Sequence, residues 1–375
     1  MRSPGPTVSL PNMPVWDDDP AWQPPSPLEA DASADVCVIG LGGSGLVAVL
    51  ALRAAGLRVI GIDAVDVGAG AAGRNGGLLL AGIADFHHDA VRLLGHDAAV
   101  AIYRRTLVEL DALFAEFPQC TRRTGSLRIA ASESELADCR AQLAQLQRDG
   151  FPAEWYRGDE GEGLLIPSDG VMQPLRRVRA MAAQAMRAGA TLHSGTRALE
   201  ISGTSVRTDR GTIRCDRVIV AVDGRLETLL PELAPRVRTA RLQMLATAPA
   251  PDRQIPRPVY WRDGYEYWQQ LPDGSIALGG FRDTGIDTEW THDAAPSAGI
   301  QQRLDHFLRT HIGTQAPVTH RWAASVSYTE SGAPVCEEVR DGVFAIGAYS
   351  GTGNVVGALC ARDAALWVIG STSGH

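Results

Sequence analysis

Gly40-Leu41-Gly42-Gly43-Ser44-Gly45 has the spacing G-x-G-x-x-G, and Asp63 stands about twenty residues further on, the interval of a dinucleotide-binding unit. Each residue has a physical task in that unit. Gly40 allows a tight turn. Gly42 lets backbone approach a pyrophosphate. Gly45 lets helix and strand pack closely. The free N–H groups and partial positive charge of a helix N-terminus then suit the phosphates. Asp63 can accept hydrogen bonds from ribose hydroxyls. The pattern alone is weak, and its setting gives it weight. An apolar run at 36–39 precedes it. A helical pattern at 46–55 follows and stops at Gly56, and a second apolar run at 58–62 leads into Asp63. Together these segments predict a βαβ unit.

A dinucleotide can be NAD or FAD. Ala71-Ala72-Gly73-Arg74-Asn75-Gly76-Gly77 is a second glycine-rich loop just past Asp63. A plain NAD domain has no evident use for it. A flavin enzyme does, because backbone must run alongside a flat ring system.

The bulk numbers set the frame. The 375 residues are 45% hydrophobic and 21% charged, an ordinary globular composition, and the length suits two interleaved domains. The net charge of -8 argues against non-specific nucleic-acid binding. All 35 basic residues are arginine, so no lysine side chain can form a Schiff base or sit in an active site. The cysteines, Cys37, Cys120, Cys139, Cys215, Cys336 and Cys360, form no Cys-x-x-Cys pair. Zinc and dithiol motifs are therefore absent, no metal site is expected, and scattered thiols fit a reducing, cytoplasmic setting. The first thirty residues show no signal-peptide pattern. The apolar stretch at 36–62 is broken by glycines and arginines and is not a membrane span.

The remaining elements read coarsely. Residues 1–34, rich in Pro and Asp, are expected to form an extended arm over the surface. Helices are expected at 97–116, 133–149, 176–189 and 355–368. Strands are expected at 125–131, 191–193, 199–202, 217–222 and 342–346. A hairpin turn is expected at 209–212, and residues 258–282 read as two antiparallel strands joined at Pro272-Asp273-Gly274.

With these motifs in order, the sequence resembles the D-amino-acid-oxidase-like family of FAD-dependent oxidoreductases, the group with sarcosine, glycine and polyamine-type amine oxidases. The resemblance runs over nearly the whole chain. Besides residues 40–45 and 73–77, it rests on Gln173-Pro174-Leu175 and on Ala221-Val222-Asp223-Gly224, near the family's usual Ala-Thr-Gly. It also rests on Leu278-Gly279-Gly280 and on Gly347-Ala348-Tyr349-Ser350-Gly351-Thr352-Gly353-Asn354. The arm with Pro14-Val15-Trp16 looks like that of gamma-glutamylputrescine-oxidase-like members.

The resemblance implies an α/β fold: a Rossmann-type FAD-binding domain with an inserted α+β substrate domain that contains a mainly antiparallel sheet. The FAD domain is expected at 35–85, 155–235 and 335–375, and the substrate domain at 86–154 and 236–334. The implied cofactor contacts are Gly40, Gly42, Gly43, Ser44, Gly45, Asp63, Ala64, Gly73, Arg74, Asn75, Gly76, Gly77, Ala198, Ala221, Gly224, Gly347, Tyr349, Ser350, Gly351, Thr352, Gly353 and Asn354. The late loop is implied to lie beside the pyrimidine end of the flavin, where its N–H groups stabilise negative charge.

The chain also departs from the family. Sarcosine-oxidase-like members tether FAD to a cysteine shortly before a Tyr-Thr pair. Here the pair is Tyr328-Thr329 and the matching residue is Val326, so FAD is expected to be non-covalent. Those members place a lysine over the flavin to activate oxygen, where this chain has Ala277. The family's carboxylate anchors fall at Ala333 and near Val355. Arg262, Arg282 and Arg74 remain as carboxylate ligands, or as surface or structural ion pairs.

Tyr265 and Tyr267 share a face of a strand, where they either wall a pocket or pack across strands. Tyr328 and Arg282 join them as catalytic candidates. His87-His88 offers a base, although adjacent histidines on a loop are ordinarily solvated. The expected reaction is hydride transfer from the α-carbon of a small amine or amino acid to the flavin, giving an imine, with O2 as acceptor. The alternatives are a dehydrogenase with another acceptor, a redox-neutral tailoring enzyme, or a partner subunit. Substrate identity and oligomeric state are not legible.

Overall fold

The computed structural model describes residues 10–372. A six-stranded sheet holds Val36–Ile39 at its centre. Val59–Ile62 and then Thr191–His193 pair on one side of it, and Arg217–Val220, Val343–Gly347 and Val335–Arg340 on the other. All neighbours are parallel except the last pair, which is antiparallel. The alternation along each strand sorts side chains into two cores. Val36 and Val38 join the helices Gly43–Ala54, Pro174–Arg187 and Val356–Thr372. Cys37, Ile39, Ile60 and Val218 meet Ile201, Val206 and Ile213 of a small four-stranded sheet on the opposite face.

A second large sheet has eight strands in the order Val318–Thr329, Val237–Thr247, Ile276–Gly280, Glu266–Gln270, Val259–Trp261, Ser126–Ile129, Gly161–Ile166, Glu154–Gly158. Only the pairing of Val259–Trp261 with Ser126–Ile129 is parallel. One face buries Leu245, Trp268, Ile276 and Leu278 against Ile300, Leu304 and Phe307 of helix Ala298–Phe307. The other face turns toward the six-stranded sheet. The observed fold is the expected mixed α/β arrangement, with one mainly parallel and one mainly antiparallel sheet.

Several readings need correction. Residues 154–166 pair in the eight-stranded sheet, so the boundary drawn at 155 moves beyond Ile166. The helix expected at 176 starts at Pro174, because the first helical position needs no N–H; Gln173 caps it by accepting from the Arg176 N–H at 2.8 Å. His87 opens a helix, His87–Leu94, and is buried with its Nε2 2.7 Å from Asp149, so it is neither on a loop nor solvated. The long strands Val237–Thr247 and Val318–Thr329 were absent from the sequence reading.

The arm needs correction as well. Trp16 is only 2% exposed and meets Trp322 edge to face at 6.4 Å. Its indole Nε1 donates to the Asn75 carbonyl at 2.8 Å, and its own carbonyl accepts from Gln173 Nε2 at 2.6 Å. Residues 32–33 continue the arm as a strand of the small sheet. The arm is thus a structural pin, and residues 1–9 lie outside the described residues. Among the described residues no helix is long and apolar enough to cross a membrane, and no cluster of His, Cys, Asp or Glu is placed to hold a metal ion.

Trp16→Ala removes a filled core position and the donor to Asn75. We expect it to cost about 3–5 kcal/mol of unfolding free energy in urea denaturation. A loss below 1 kcal/mol would show that the arm is a surface feature after all.

Candidate active site

The turn at residues 40–45 follows from close approach. Gly40 has φ +104°, and a Cβ there would lie 2.5 Å from the Ala221 carbonyl oxygen. A Cβ on Gly45 would lie 1.9 Å from the Gly40 oxygen, so only glycine lets the helix start this near its own strand. Gly42 is the N-cap of helix Gly43–Ala54 and has no side chain to give; the first turn holds no carboxylate. The helix N-terminus is therefore left with uncapped donors, which fits an anionic phosphate group. Ser44 is buried there beside Gly357. Asp63 accepts from the N–H of Leu41 at 2.9 Å and of Val65 at 3.0 Å. Burial raises its pKa against those two donors. Ala64 follows it, and the Asp63 carbonyl takes the Thr196 N–H at 2.8 Å, which brings the strand that begins at Ala198 alongside.

The loop at residues 73–77 is tied down carbonyl by carbonyl. Trp322 Nε1 donates to the Arg74 oxygen at 2.7 Å, Trp16 Nε1 to Asn75, Gln269 Nε2 to Gly76 at 2.6 Å, and the Met172 N–H to Gly77 at 2.7 Å. Asn75 Oδ1 accepts from the Gly77 N–H at 2.8 Å and from Asn354 Nδ2 at 3.1 Å. Asn354 also donates to the Leu78 oxygen. Asn75 and Asn354 thus join the early loop to the late one. Arg74 turns away, donating to the Ala323 carbonyl and to Asn12.

The late loop, residues 347–354, carries backbone strain. Ala348 and Ser350 have φ of 52° and 51°, a region that non-glycine residues seldom adopt. Asp223 holds it there, accepting the Tyr349 N–H at 3.2 Å together with the N–H groups of Ala348 and Ser327. Ser350 Oγ is buried with no partner, a donor free for a ligand. Tyr349 points back into the core, its ring against Gly353 and Gly357. Gly347 crosses the Val222 carbonyl, and Gly224 crosses the Ser325 carbonyl. Thr352 Oγ1 bonds the Tyr349 oxygen, closing the turn, and Gly351 lies near the Tyr328 hydroxyl.

The eight-stranded sheet presents one face to these loops. Tyr267 lies flat on it: Cβ atoms built on Gly76 and Gly279 would meet its ring at 2.9 and 2.6 Å. Tyr260 pairs with Tyr267 across strands and stacks on it at 5.9 Å. Three strands over, Tyr328 carries the Arg282 guanidinium at 4.4 Å from its ring centroid, and Trp290 stands edge-on to Tyr328 at 5.7 Å. Arg282 also lies 5.2 Å from the Trp290 ring, and Arg238 lies 4.4 Å from it on the other side. Among the described residues no carboxylate pairs with Arg282.

Burial raises the Tyr267 and Tyr260 hydroxyls, and it pushes Tyr328 up to about 12 although Arg282 pulls it down. All three therefore stay protonated at neutral pH.

Of the catalytic candidates, the structure brings Tyr267, Tyr328 and Arg282 together and leaves Tyr265 out. Tyr265 sits in the turn before its strand, exposed, under the Arg262 guanidinium at 5.0 Å. It does not share the face of Tyr267. Arg262 is consumed by Glu266 and Asp283. Tyr260, Trp290 and Arg238 were missed. Tyr260 lies with Trp261, Tyr265, Tyr267 and Trp268 in an aromatic-rich stretch that could have signalled it, while nothing in the sequence signalled Trp290 or Arg238.

Asp223 gives the site a pH dependence. The residue is only partly covered, but its carboxyl is enclosed: burial is the largest influence and raises it to about 7, against the three N–H donors. Its folded pKa is above the unfolded value near 4, so the folded chain holds the extra proton between about pH 4 and 7. Stability of the flavin-free protein should fall as pH rises through that window. Asp223→Asn should flatten this slope in thermal denaturation, and a wild-type slope in the variant would remove Asp223 from the account.

Comparison with known proteins follows the same lines. The chain is 28% identical to a probable oxidoreductase, OrdL, of Rhizobium meliloti (strain 1021), over 92% of this chain and 85% of that protein. It is 28% identical to the gamma-glutamylputrescine oxidoreductase of Escherichia coli (strain K12), over 59% and 56% of the two chains. Glycine oxidase from Geobacillus kaustophilus shares the fold with a TM-score of 0.76 at 20% identity, covering 90% of this chain and 95% of that one. L-proline dehydrogenase from P. horikoshii does so with a TM-score of 0.72 at 18% identity, covering 92% of each. Residues 35–367 match the DAO family, FAD dependent oxidoreductases, and with that match added to the glycine turn, the tied loop and the strained late loop, the chain belongs to that family.

Proposed function

We propose that this enzyme oxidises the C–N bond of a small amine or amino acid to an imine, with FAD held non-covalently. The observation that carries the reading is the cluster of Tyr267, Tyr260 and Tyr328 with an unpaired Arg282, on the sheet face turned to the glycine loops. FAD, when bound, supplies the acceptor for the hydride.

The protein's part is to bind, orient and set protonation. The aromatic side chains of Tyr267 and Tyr328 offer a wall against which a neutral amine can lie. Arg282 can fork a carboxylate, fixing which side of the α-carbon faces the groove. Its charge also disfavours a neighbouring ammonium, so it promotes the neutral amine that can release a hydride. The three hydroxyls, held protonated, serve as donors and not as bases. The cysteines Cys37, Cys120, Cys139, Cys215 and Cys360 are buried and Cys336 partly so. The residue at the tethering position is Val326, on the sheet face beside Tyr328. This supports non-covalent binding, which denaturation and filtration test directly: flavin that stays with the protein overturns it.

Anaerobic bleaching of the bound flavin by paired substrates tests the reaction. An N-alkyl amino acid should bleach it well, and the same amine without the carboxylate poorly. Arg282→Met should raise KM for the carboxylated member about 10- to 100-fold, from loss of a charge-assisted hydrogen bond. An equal effect on both members removes Arg282 as the anchor, and no bleaching by any amine ends the amine reading.

We take O2 as the electron acceptor. Ala277 favours a second reading, a dehydrogenase. It is fully buried among Trp16, Leu175, Met244 and Trp322, where relatives of the sarcosine-oxidase type carry a lysine. Reoxidation of the reduced enzyme in air-saturated buffer separates the two. Turnover limited by air and relieved by a quinone identifies the dehydrogenase.

A further inference from the structure

Helix Pro174–Arg187 packs on helix Gly43–Ala54, and one of its inward residues is a cation. Arg177 is 2% exposed, as deeply buried as Trp16. Among the described residues no ion pair or hydrogen bond reaches its side chain, and its Nε is buried without a partner. Its one close neighbour of note is the Phe117 ring, 6.0 Å away. Glu109 is within electrostatic range but is already bound through both oxygens by Arg362. Burial lowers the pKa of Arg177, and Glu109, Cys120 and Glu116 oppose this. A guanidinium stays charged regardless. A buried charge without a partner is among the costlier features a fold can carry.

The direction of the side chain says what would offset that cost. Arg177 Nη1 lies 3.7 Å from where a Cβ on Gly43 would stand. Gly43 is the first residue of the helix whose N-terminus is left uncapped by Gly42. Two positive features, a helix N-terminus and a guanidinium, therefore stand side by side with no protein anion between them. They repel one another until a group of at least matching negative charge enters. A Cβ at 43 would stand in ordinary van der Waals contact with the guanidinium, which places the cation directly against the first residue of the helix.

We propose that Arg177 is a side-chain cation of the FAD diphosphate site, adding a charged donor to a cradle that the glycine turn otherwise builds from backbone N–H groups. The proposal rests on FAD dependence alone and is independent of the substrate proposed above. It divides the binding energy in a recognisable way. The contribution of Arg177 goes to the diphosphate and not to the ring system, so ligands with and without phosphate respond differently to its loss.

The experiment uses full-length protein stripped of flavin, titrated with FAD and with riboflavin, which lacks phosphate, and followed by fluorescence. Arg177→Met should weaken FAD about 10- to 100-fold, the loss expected for a charge-assisted hydrogen bond. Riboflavin affinity should stay as in the wild type, and Arg177→Lys should recover part of the FAD affinity. The melting temperature of flavin-free Arg177→Met should be equal to or above that of the wild type, because an unpaired buried charge has been removed. Unchanged FAD affinity overturns the proposal. So does an equal loss for FAD and riboflavin with a lowered flavin-free melting temperature, the mark of a structural residue. If the methionine variant does not fold, the lysine variant decides: it must bind FAD more weakly than the wild type but riboflavin equally. Wild-type protein that fails to take up FAD would instead bring down the cofactor assignment itself.

Discussion

The backbone of residues 74–77 is the point to which the whole molecule is tied. Its four successive carbonyls accept hydrogen bonds from Trp322 and Gln269 of the eight-stranded sheet, from Trp16 of the arm, and from the Met172 N–H. Three of the donors are side chains distant in sequence. Buried carbonyls must be paired, so this stretch fixes the distance between the two large sheets as firmly as a packed core does. With the carbonyls taken, the loop has one ordered path, and the ring of Tyr267 rests on Gly76 as a consequence. Trp16 explains why a Pro- and Asp-rich segment is part of the fold. The arm supplies a donor that neither sheet can reach.

How much of this was legible depends on the range of the forces involved. The glycine turn was readable because its constraint is local: the clash between residue 45 and the oxygen of Gly40 arises within six residues. The strand at 217–220 was readable as a short apolar run, and the one at 191–193 by its place after a helix. Val237–Thr247 was overlooked although Ala240-Arg241-Leu242-Gln243-Met244 alternates: its polar positions do not mark a solvent face, because Arg241 and Gln243 are buried against Glu289, and the strand is covered on both faces. The arm was misread because its composition is that of a surface segment, while its structure turns on one tryptophan. His87 was misjudged for the same reason, since only the fold brings Asp149 to it. Tyr265 and Tyr267 differ by two positions, but the strand begins at Glu266, so the alternation that would align them does not reach Tyr265.

The eight-stranded sheet shows how one element serves two purposes. Trp268, Leu278 and Leu245 point to helix Ala298–Phe307 and stabilise the sheet. Their neighbours Tyr267, Gly279 and Met244 point the other way and shape the groove. A shift of one residue in register would exchange the two sets. The arrangement of this face is therefore protected by the core: the same packing that makes the sheet stable keeps Tyr260 and Tyr267 on the face turned to the glycine loops. It also explains Ala277. That position belongs to the inward set and is enclosed by Trp16 and Trp322, so a long charged side chain there would have to displace the pin that holds the arm.

A chain whose cations are all arginine must place each guanidinium with care, since none can lose its charge on burial. Most buried examples here are paired. Arg241 is bound by Glu289 and Asp293, and Arg262 by Glu266 and Asp283. Arg177, Arg282, Arg128 and Arg257 are held by no carboxylate in an ion pair among the described residues, and the first two stand near the glycine loops. Arg282 lies over Tyr328 near the late loop, and Arg177 lies beside the first turn of the fingerprint helix. An unpaired cation in a protein interior is tolerated where a ligand completes it. The structural ion pairs keep their charges to themselves, while those of Arg282 and Arg177 are the ones we propose that ligands meet.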